Sequence, residues 1–585
     1  LRSDSGRLGS RRPDDVSARK RSRDDDYDRD DTRRQRPRRD EDVAARDTRR
    51  DPPPPRHEQP HRVAFGGDEH GYPVGRLSRE LKAELKGMAG VGGRGRQGGY
   101  SPTQRAVIAE YAGDFLASGD TAPMRGDEVA GYGGLANEFS KNVEDPDSRD
   151  ALTVVARKFA GLPRHGRPLA TRDLALFANA FSKLDLDAYR PVLHALEKIA
   201  ITVAHTGLPG HGSQNLAMIA NGLSKLEVHP ESDAERALNN IAATVANTDL
   251  PGYSSQDLAM IANGLSKLEV HPDSNAERAL NNIAATVAKR DLRDFTSQQV
   301  AMVANGLSKL HIDTNSRAER GLNSIAATVA NRDLKDFIPQ HLAMMANGLS
   351  KLDASKNLDA APALNNIAAT VANRDLRDFT SQQVGMMVNG LSKLDPTSSV
   401  PARMALDTIA TAVAARDLRG FTSQDLAMVT HGLGKLDPTS SVPARMALHT
   451  IATAVAARDL RGFTSQGLAM VANGLGKLDP TSSVPARMAL HTIATVVANR
   501  DLTEFTAQQV GMVANGLSKL EVQTDSDAED GLNNIANVVA ARDLRAFTSQ
   551  DLAMVANGLS KLNIVGVRMP NMRWTASLTW WPPGI

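Results

Sequence analysis

The chain contains no cysteine, few aromatic residues (4% of 585), no excess of either charge sign and no long apolar run. Each absence removes a class of explanation. Without cysteine there is no disulfide framework, no thiolate metal site and no cysteine nucleophile. With so few aromatics, a core must be built from Leu, Ile, Val, Met and many Ala, which suits closely packed helices. No apolar stretch approaches the ~20 residues that cross a bilayer, and no N-terminal stretch has the apolar centre of a signal peptide, so membrane insertion is not expected. A formal net charge of +2 gives no strong electrostatic pull toward nucleic acid.

What the chain does have is a period. Lysine recurs every 42 residues from Lys141 to Lys561, giving eleven copies of one unit with no insertion or deletion. A strict period of this length means identical units packed on their neighbours, a solenoid rather than a globule around one pocket. Four regions follow. Residues 1–60 hold 18 Arg or Lys, 15 Asp or Glu and the run Pro52 to Pro55, a composition that cannot bury enough surface to order itself, so disorder is expected. Residues 61–128 are transitional, with short helices expected at Leu77 to Leu85 and Ala106 to Leu116 around a glycine cluster. Residues 129–562 form the array, and its first copy is divergent, as a terminal copy with one solvent-facing side should be. Residues 563–585 hold all three tryptophans and read as an aberrant end, truncated or frame-shifted; the opening Leu1 likewise suggests a start upstream.

One copy is enough to read the local structure. Thr296 and Gln299 have the spacing of a capping box, and Val300, Val303, Leu307 and Leu310 then fall on one helical stripe, placing a first helix at about Ser297 to Leu310. A second helix opens at another box, Ser274 with Glu277, and carries Leu280, Ile283 and Val287. In three copies the opening is Asp-Pro-Thr-Ser-Ser-Val-Pro, with Pro401, Pro443 and Pro485 in the tolerant first turn. Such a pair is too small to bury its own apolar face, so stacking is obligatory, and no segment of the array reads as a strand.

Positions that repeat become rows. A glycine inside the first helix (Gly306 and equivalents) costs about 1 kcal/mol against Ala, which close helix approach would offset. The Asn before it, replaced only by His431, reads as an interior ladder. The lysines sit at the end of the first helix, where a cation complements the dipole and is solvated. A candidate basic row is Arg290, Arg332, Arg374, Arg416, Arg458, Arg500 and Arg542, each followed by Asp, which suggests ion pairs from copy to copy ahead of an anion-binding strip. A candidate partner-binding row varies instead: Asp257, Gln299, His341, Gln383, Asp425, Gly467, Gln509 and Asp551. One changing polar position on a uniform scaffold is how modular RNA readers distribute their code, but it is also the third residue of a helix, where Asp, Asn and Gln are ordinary capping partners.

Chemistry finds no foothold. There is no phosphate-binding glycine loop with lysine, no His-Glu-x-x-His and no nucleophile elbow, and the Gly131-x-Gly133-x-x-Ala136 and Arg125-Gly126-Asp127 matches have no supporting context. No catalytic residue, metal site, cofactor or small-molecule substrate is expected. The copy from Leu268 to Lys309 carries five acidic and five basic residues, which favours a protein partner over nucleic acid.

Copies such as Leu342-Ala343-Met344-Met345-Ala346-Asn347-Gly348-Leu349-Ser350-Lys351-Leu352-Asp353 resemble the SKWP-repeat effectors that plant-pathogenic bacteria deliver through the type III secretion system. The resemblance spans about residues 130 to 562 and rests on the period, the Ala-Asn-x-x-Ser-Lys core and the tandem layout. Leu stands where that family has Trp, Glu or Asp mostly replaces its Pro, and Gly434 and Gly476 replace its Ser. It implies an all-α, right-handed α-solenoid of two-helix repeats, armadillo- or HEAT-like, made in the bacterial cytoplasm, secreted into the host cell and binding a host protein on its inner face without catalysis. The same core is more distantly similar to octotricopeptide-type repeats, which implies RNA binding as the second reading.

Overall fold

The computed structural model describes residues 74–89, 100–119, 122–163, 169–206, 208, 211–353, 356–523 and 525–562. The expected disorder of 1–60 and the tail 563–585 lie outside the described residues, as does the glycine cluster. Among the described residues there are 23 α-helices and no strand, and none of those helices is long and apolar enough to cross a membrane.

Each 42-residue unit contributes a short A helix and a longer B helix. Every A helix packs on the A helices of the copies before and after it, and every B helix on its B neighbours. The cause is the double stripe read from the sequence. In one unit Val300, Val303, Ala304 and Leu307 of the A helix and Leu280, Ile283, Ala284 and Val287 of the adjoining B helix are all buried. Each buried Val, Leu or Ile among them contributes roughly 1.5–3 kcal/mol, most of it available only once a neighbouring copy covers it.

The A helix opens as expected. The Thr296 hydroxyl accepts from the Gln299 amide at 3.3 Å, and the Gln299 side chain accepts from the Thr296 amide at 3.0 Å. It closes earlier than expected, at Leu307 rather than Leu310. The Lys309 and Leu310 amides donate to Gly306 and Leu307, three residues back, so the last turn tightens and the lysine stands just past the helix.

The B helix opens in two ways. In the copies capped by Ser232, Ser274, Ser316 and Ser526, the preceding residue (Glu231, Asp273, Asn315, Asp525) has a positive φ of 60 to 66°. Its amide donates to a glutamate four residues on, as Asp273 to Glu277 at 2.6 Å. The expected Ser274–Glu277 box is therefore half realised: the serine takes the Glu277 amide, while the glutamate reaches one residue further back. In the proline copies Ser399, Ser441 and Ser483 cap the helix with ordinary backbone, and the proline lies in the first turn.

The stack also begins before residue 129. Helix Val74–Ala89 packs on Val129–Phe139 as an A helix would, and Pro102–Ala117 on Pro146–Ala160 as a B helix would. The two short helices expected in the transitional region are thus a further pair. Gly131 belongs to this contact: a Cβ there would sit 2.9 Å from the Gly75 nitrogen, which accounts for the glycine without any nucleotide.

Candidate interaction surface

The rows separate into those that hold copies together and those that face solvent. Glycine and asparagine hold. A Cβ on Gly222, Gly264, Gly306, Gly348, Gly390, Gly516 or Gly558 would lie 2.5–2.8 Å from an alanine carbonyl oxygen of the preceding A helix, so only a bare backbone fits. Asn305 donates to the Ser266 hydroxyl at 3.1 Å, and Asn389 and Asn515 donate to Asn347 and Asn473 at 3.2 Å. His431 interrupts this ladder. Its Nδ1 is buried without a partner, and burial together with Lys435, Lys393 and Lys477 lowers its pKa to about 4.

The variable row is a capping row. The side chains of Asp257, Gln299, Gln383, Asp425, Gln509 and Asp551 each accept from the amide of their own N-cap residue. Asp257, Asp425 and Asp551 are buried by it, and Asp257 also accepts from Ser213 of the preceding copy. Two members of the row depart from this pattern. His341 follows an Ile338 cap that makes no side-chain bond; its Nδ1 is buried without a partner, and its ring meets Phe337 edge-on. Burial lowers its pKa. At Gly467 only the amide is used, donating to Thr464.

The arginine row corrects the sequence expectation. Its side chains do cross between copies, but to backbone carbonyls rather than to aspartates. Arg332, Arg416, Arg458 and Arg500 donate to the carbonyls of Phe295, Phe379, Phe421 and Phe463 at 2.7–2.9 Å. Arg374 and Arg542 do the same to Phe337 and Phe505 at 2.5 Å, and Arg290 to Tyr253 at 2.6 Å. Most take a second carbonyl nearby, as Arg542 does from Leu502 at 2.7 Å. The following aspartates turn inward on their own loop: Asp291, Asp375 and Asp459 accept from the amide and guanidinium of Arg293, Arg377 and Arg461 two residues on. Those bonds hold the three carboxyl groups at a pKa of about 2.

A second clamp escaped sequence reading. Asn282, Asn366 and Asn534 on the B helices each donate to two carbonyls at the end of the preceding B helix, at 2.8 to 3.1 Å. The recurring Asn-Asn-Ile-Ala was the available signal, since an asparagine beside a core stripe at helical spacing needs a partner.

What remains outward is the lysine row. Its members are exposed, yet Lys183, Lys267, Lys309 and Lys435 have lowered pKa values, first from partial desolvation and then from the lysine of a neighbouring copy. In eight of the eleven copies an exposed acid stands two residues later, such as Glu227, Asp353 or Asp437. The end of the stack that follows the A helices therefore presents both signs in parallel rows.

No protein-family profile matches the chain, and no curated protein does. Solved structures with a likeness to it include a crystal structure of an engineered protein, at 18% identity over 68% of this chain and 98% of that one, TM-score 0.16. A homology model of the full-length AP-3 complex in an intermediate open conformation aligns at 11% identity over 83% of this chain and 93% of that one, TM-score 0.24. Importin beta aligns at 11% identity over 83% of this chain and 80% of that one, TM-score 0.25.

Proposed function

We propose that the array is a non-catalytic interaction scaffold that holds a partner protein along its repeated solvent face. The observation that carries this reading is the pairing of exposed rows of opposite sign. A phosphate backbone laid along the lysines would meet a row of carboxylates two residues away, copy after copy, whereas a protein surface can match both signs. The shifted histidines, His341 and His431, are accounted for by their places in the capping and asparagine rows, so neither needs a catalytic role.

The finer reading is a type III effector that engages a host protein. It is supported by the 42-residue period and the Ala-Asn-x-x-Ser-Lys core. Two experiments test the two levels. Pull-down from plant extract should give the same partner with and without nuclease, while single-stranded RNA titrated at rising salt should show no steep loss of a strong complex; a partner lost to nuclease would replace the protein reading with the RNA one. A translocation reporter fused to the full chain should enter host cells from a secretion-competent strain and not from a secretion-deficient one; equal signals would remove the effector reading and leave the scaffold standing.

A further inference from the structure

The opening of the B helix changes character in three successive copies. Val400, Val442 and Val484 are 51–67% exposed, and Met404, Met446 and Met488, one turn on, are 53–55% exposed. In the copy before them the equivalent of Val400 is Leu358, at 92%. In the copies whose B helix opens on a left-handed residue the same two positions are polar: Ser274 and Arg278, Ser316 and Arg320, Ser526 and Asp530. Large apolar side chains are ordinarily scattered on a surface, but here they line up in register over neighbouring helices spaced ~10 Å apart.

Charge changes with them. Arg403, Arg445 and Arg487 occupy the position that is Glu277, Glu319 or Glu529 in the polar copies. There the glutamate has a structural task, accepting the amide of the left-handed residue before the cap. The proline copies have no left-handed residue, so that task is gone, and the replacement is not a neutral side chain but one of opposite sign. Among the described residues the three guanidinium groups are exposed and take part in no ion pair or hydrogen bond, whereas Arg278 is held by Asn275 and Arg236 by Asp233. The acids of the preceding loop do not neutralise them either in the bonds they form: Asp395, Asp437 and Asp479 are engaged by the hydroxyls and amides of Thr397, Thr439 and Thr481. The loop is pinned from outside, the cap hydroxyls of Ser441 and Ser483 meeting Asp407 and His449 of the copy before at 2.6 and 2.9 Å. The strip is thus presented on a fixed base.

Resting on the scaffold reading, we propose that the Val–Met strip of these three copies, with its three free arginines, is a docking site for an acidic amphipathic segment of a partner protein. Methionine suits the apolar half, because a flexible thioether adapts to the shape laid on it. A helix repeats one face every seven residues, about 10.5 Å, close to the step from copy to copy, so one apolar side chain of the segment can meet each copy while its carboxylates meet the arginines.

The test is fluorescence anisotropy of the full chain with a labelled helical peptide carrying leucine at every seventh position and glutamate between. Saturable binding is expected, with Kd raised ~tenfold or more in M404S/M446S/M488S and again in R403E/R445E/R487E, and no binding of a lysine-for-glutamate peptide or a scrambled one. Both triple variants alter only exposed side chains, and unchanged thermal unfolding verifies their fold. Equal affinity in either variant, equal affinity for the scrambled peptide, or no saturation overturns the proposal. So does concentration-dependent self-association abolished by the methionine changes, which would make a second copy the occupant. A nuclease-resistant partner that both triple variants still capture overturns this site and leaves the scaffold; peptide binding without any such partner does the reverse.

Discussion

The A helices and the B helices of this chain obey different rules. From Val129–Phe139 to Ser549–Leu559 every A helix is 11 residues long, while the B helices vary from 13 to 17. Close contact accompanies this uniformity: in seven of the eleven A helices a glycine presses onto the alanine backbone of the preceding A helix, and there any change of length or register would break the fit. The B helices meet their neighbours through their buried apolar stripe and through Asn and Thr side chains reaching carbonyl groups, while one side of their first turns projects to solvent. Architecture is carried by one stack, and variation is tolerated at the openings of the other.

That contrast can be broken deliberately. The largest effect is expected for Gly306→Val, whose first side-chain atom would lie 2.6 Å from the Ala262 carbonyl oxygen. A loss of about 3 kcal/mol is expected, read by urea unfolding and by faster amide exchange in the two flanking copies. An unchanged midpoint would mean that the A stack is looser than the geometry implies.

Next in size is a pH effect at His431. Its folded pKa of about 4 lies below the ordinary 6.5. As pH falls below about 6.5 the unfolded chain takes a proton that the folded imidazole refuses until about 4, so stability is fully present above that window and is lost through it, by about 2 kcal/mol between pH 7 and pH 4.5. His431→Asn should remove this dependence and restore the ladder. Chemical denaturation at pH 7 and pH 4.5 on both proteins measures it.

Arg374→Met should cost about 1–2 kcal/mol by leaving the Phe337, Leu334 and Lys335 carbonyls without their cross-copy donor. If the row were instead an anion site, stability would hold and only binding would change. Smallest is Met404→Ser on the outer face, expected to alter stability by about 0.5 kcal/mol or less. A drop like that of Gly306→Val would place Met404 in the packing and erase the distinction between the stacks.

Much of the stack is legible in the sequence because period, stripe and capping box are local or self-repeating signals. Thr296 with Gln299, and Gly306 with its equivalents, are legible in the sequence alone. Partner choice across copies was harder. Arg374 next to Asp375 invites an ion-pair ladder, but Asp375 is captured by the amide and guanidinium two residues on, and the arginine is left to the carbonyls that a loop of the preceding copy points toward it. Adjacency in sequence said nothing about which loop lies opposite. The Val–Met strip was hidden for another reason: in Val-Pro-Ala-Arg-Met both apolar residues look like core. Only the phase of the buried set, Ala402, Ala405, Leu406, Ile409 and Val413, shows that Val400 and Met404 fall outside it.

The division of labour between the stacks can be tested in one measurement, by placing a photo-crosslinking amino acid either at Val442, on a B opening, or at Gln424, exposed on the first turn of an A helix. In nuclease-treated plant extract the account predicts a discrete protein adduct from Val442, lost when the three arginines are reversed, and none from Gln424. Equal adducts from both positions, or an adduct only at Gln424, would contradict it.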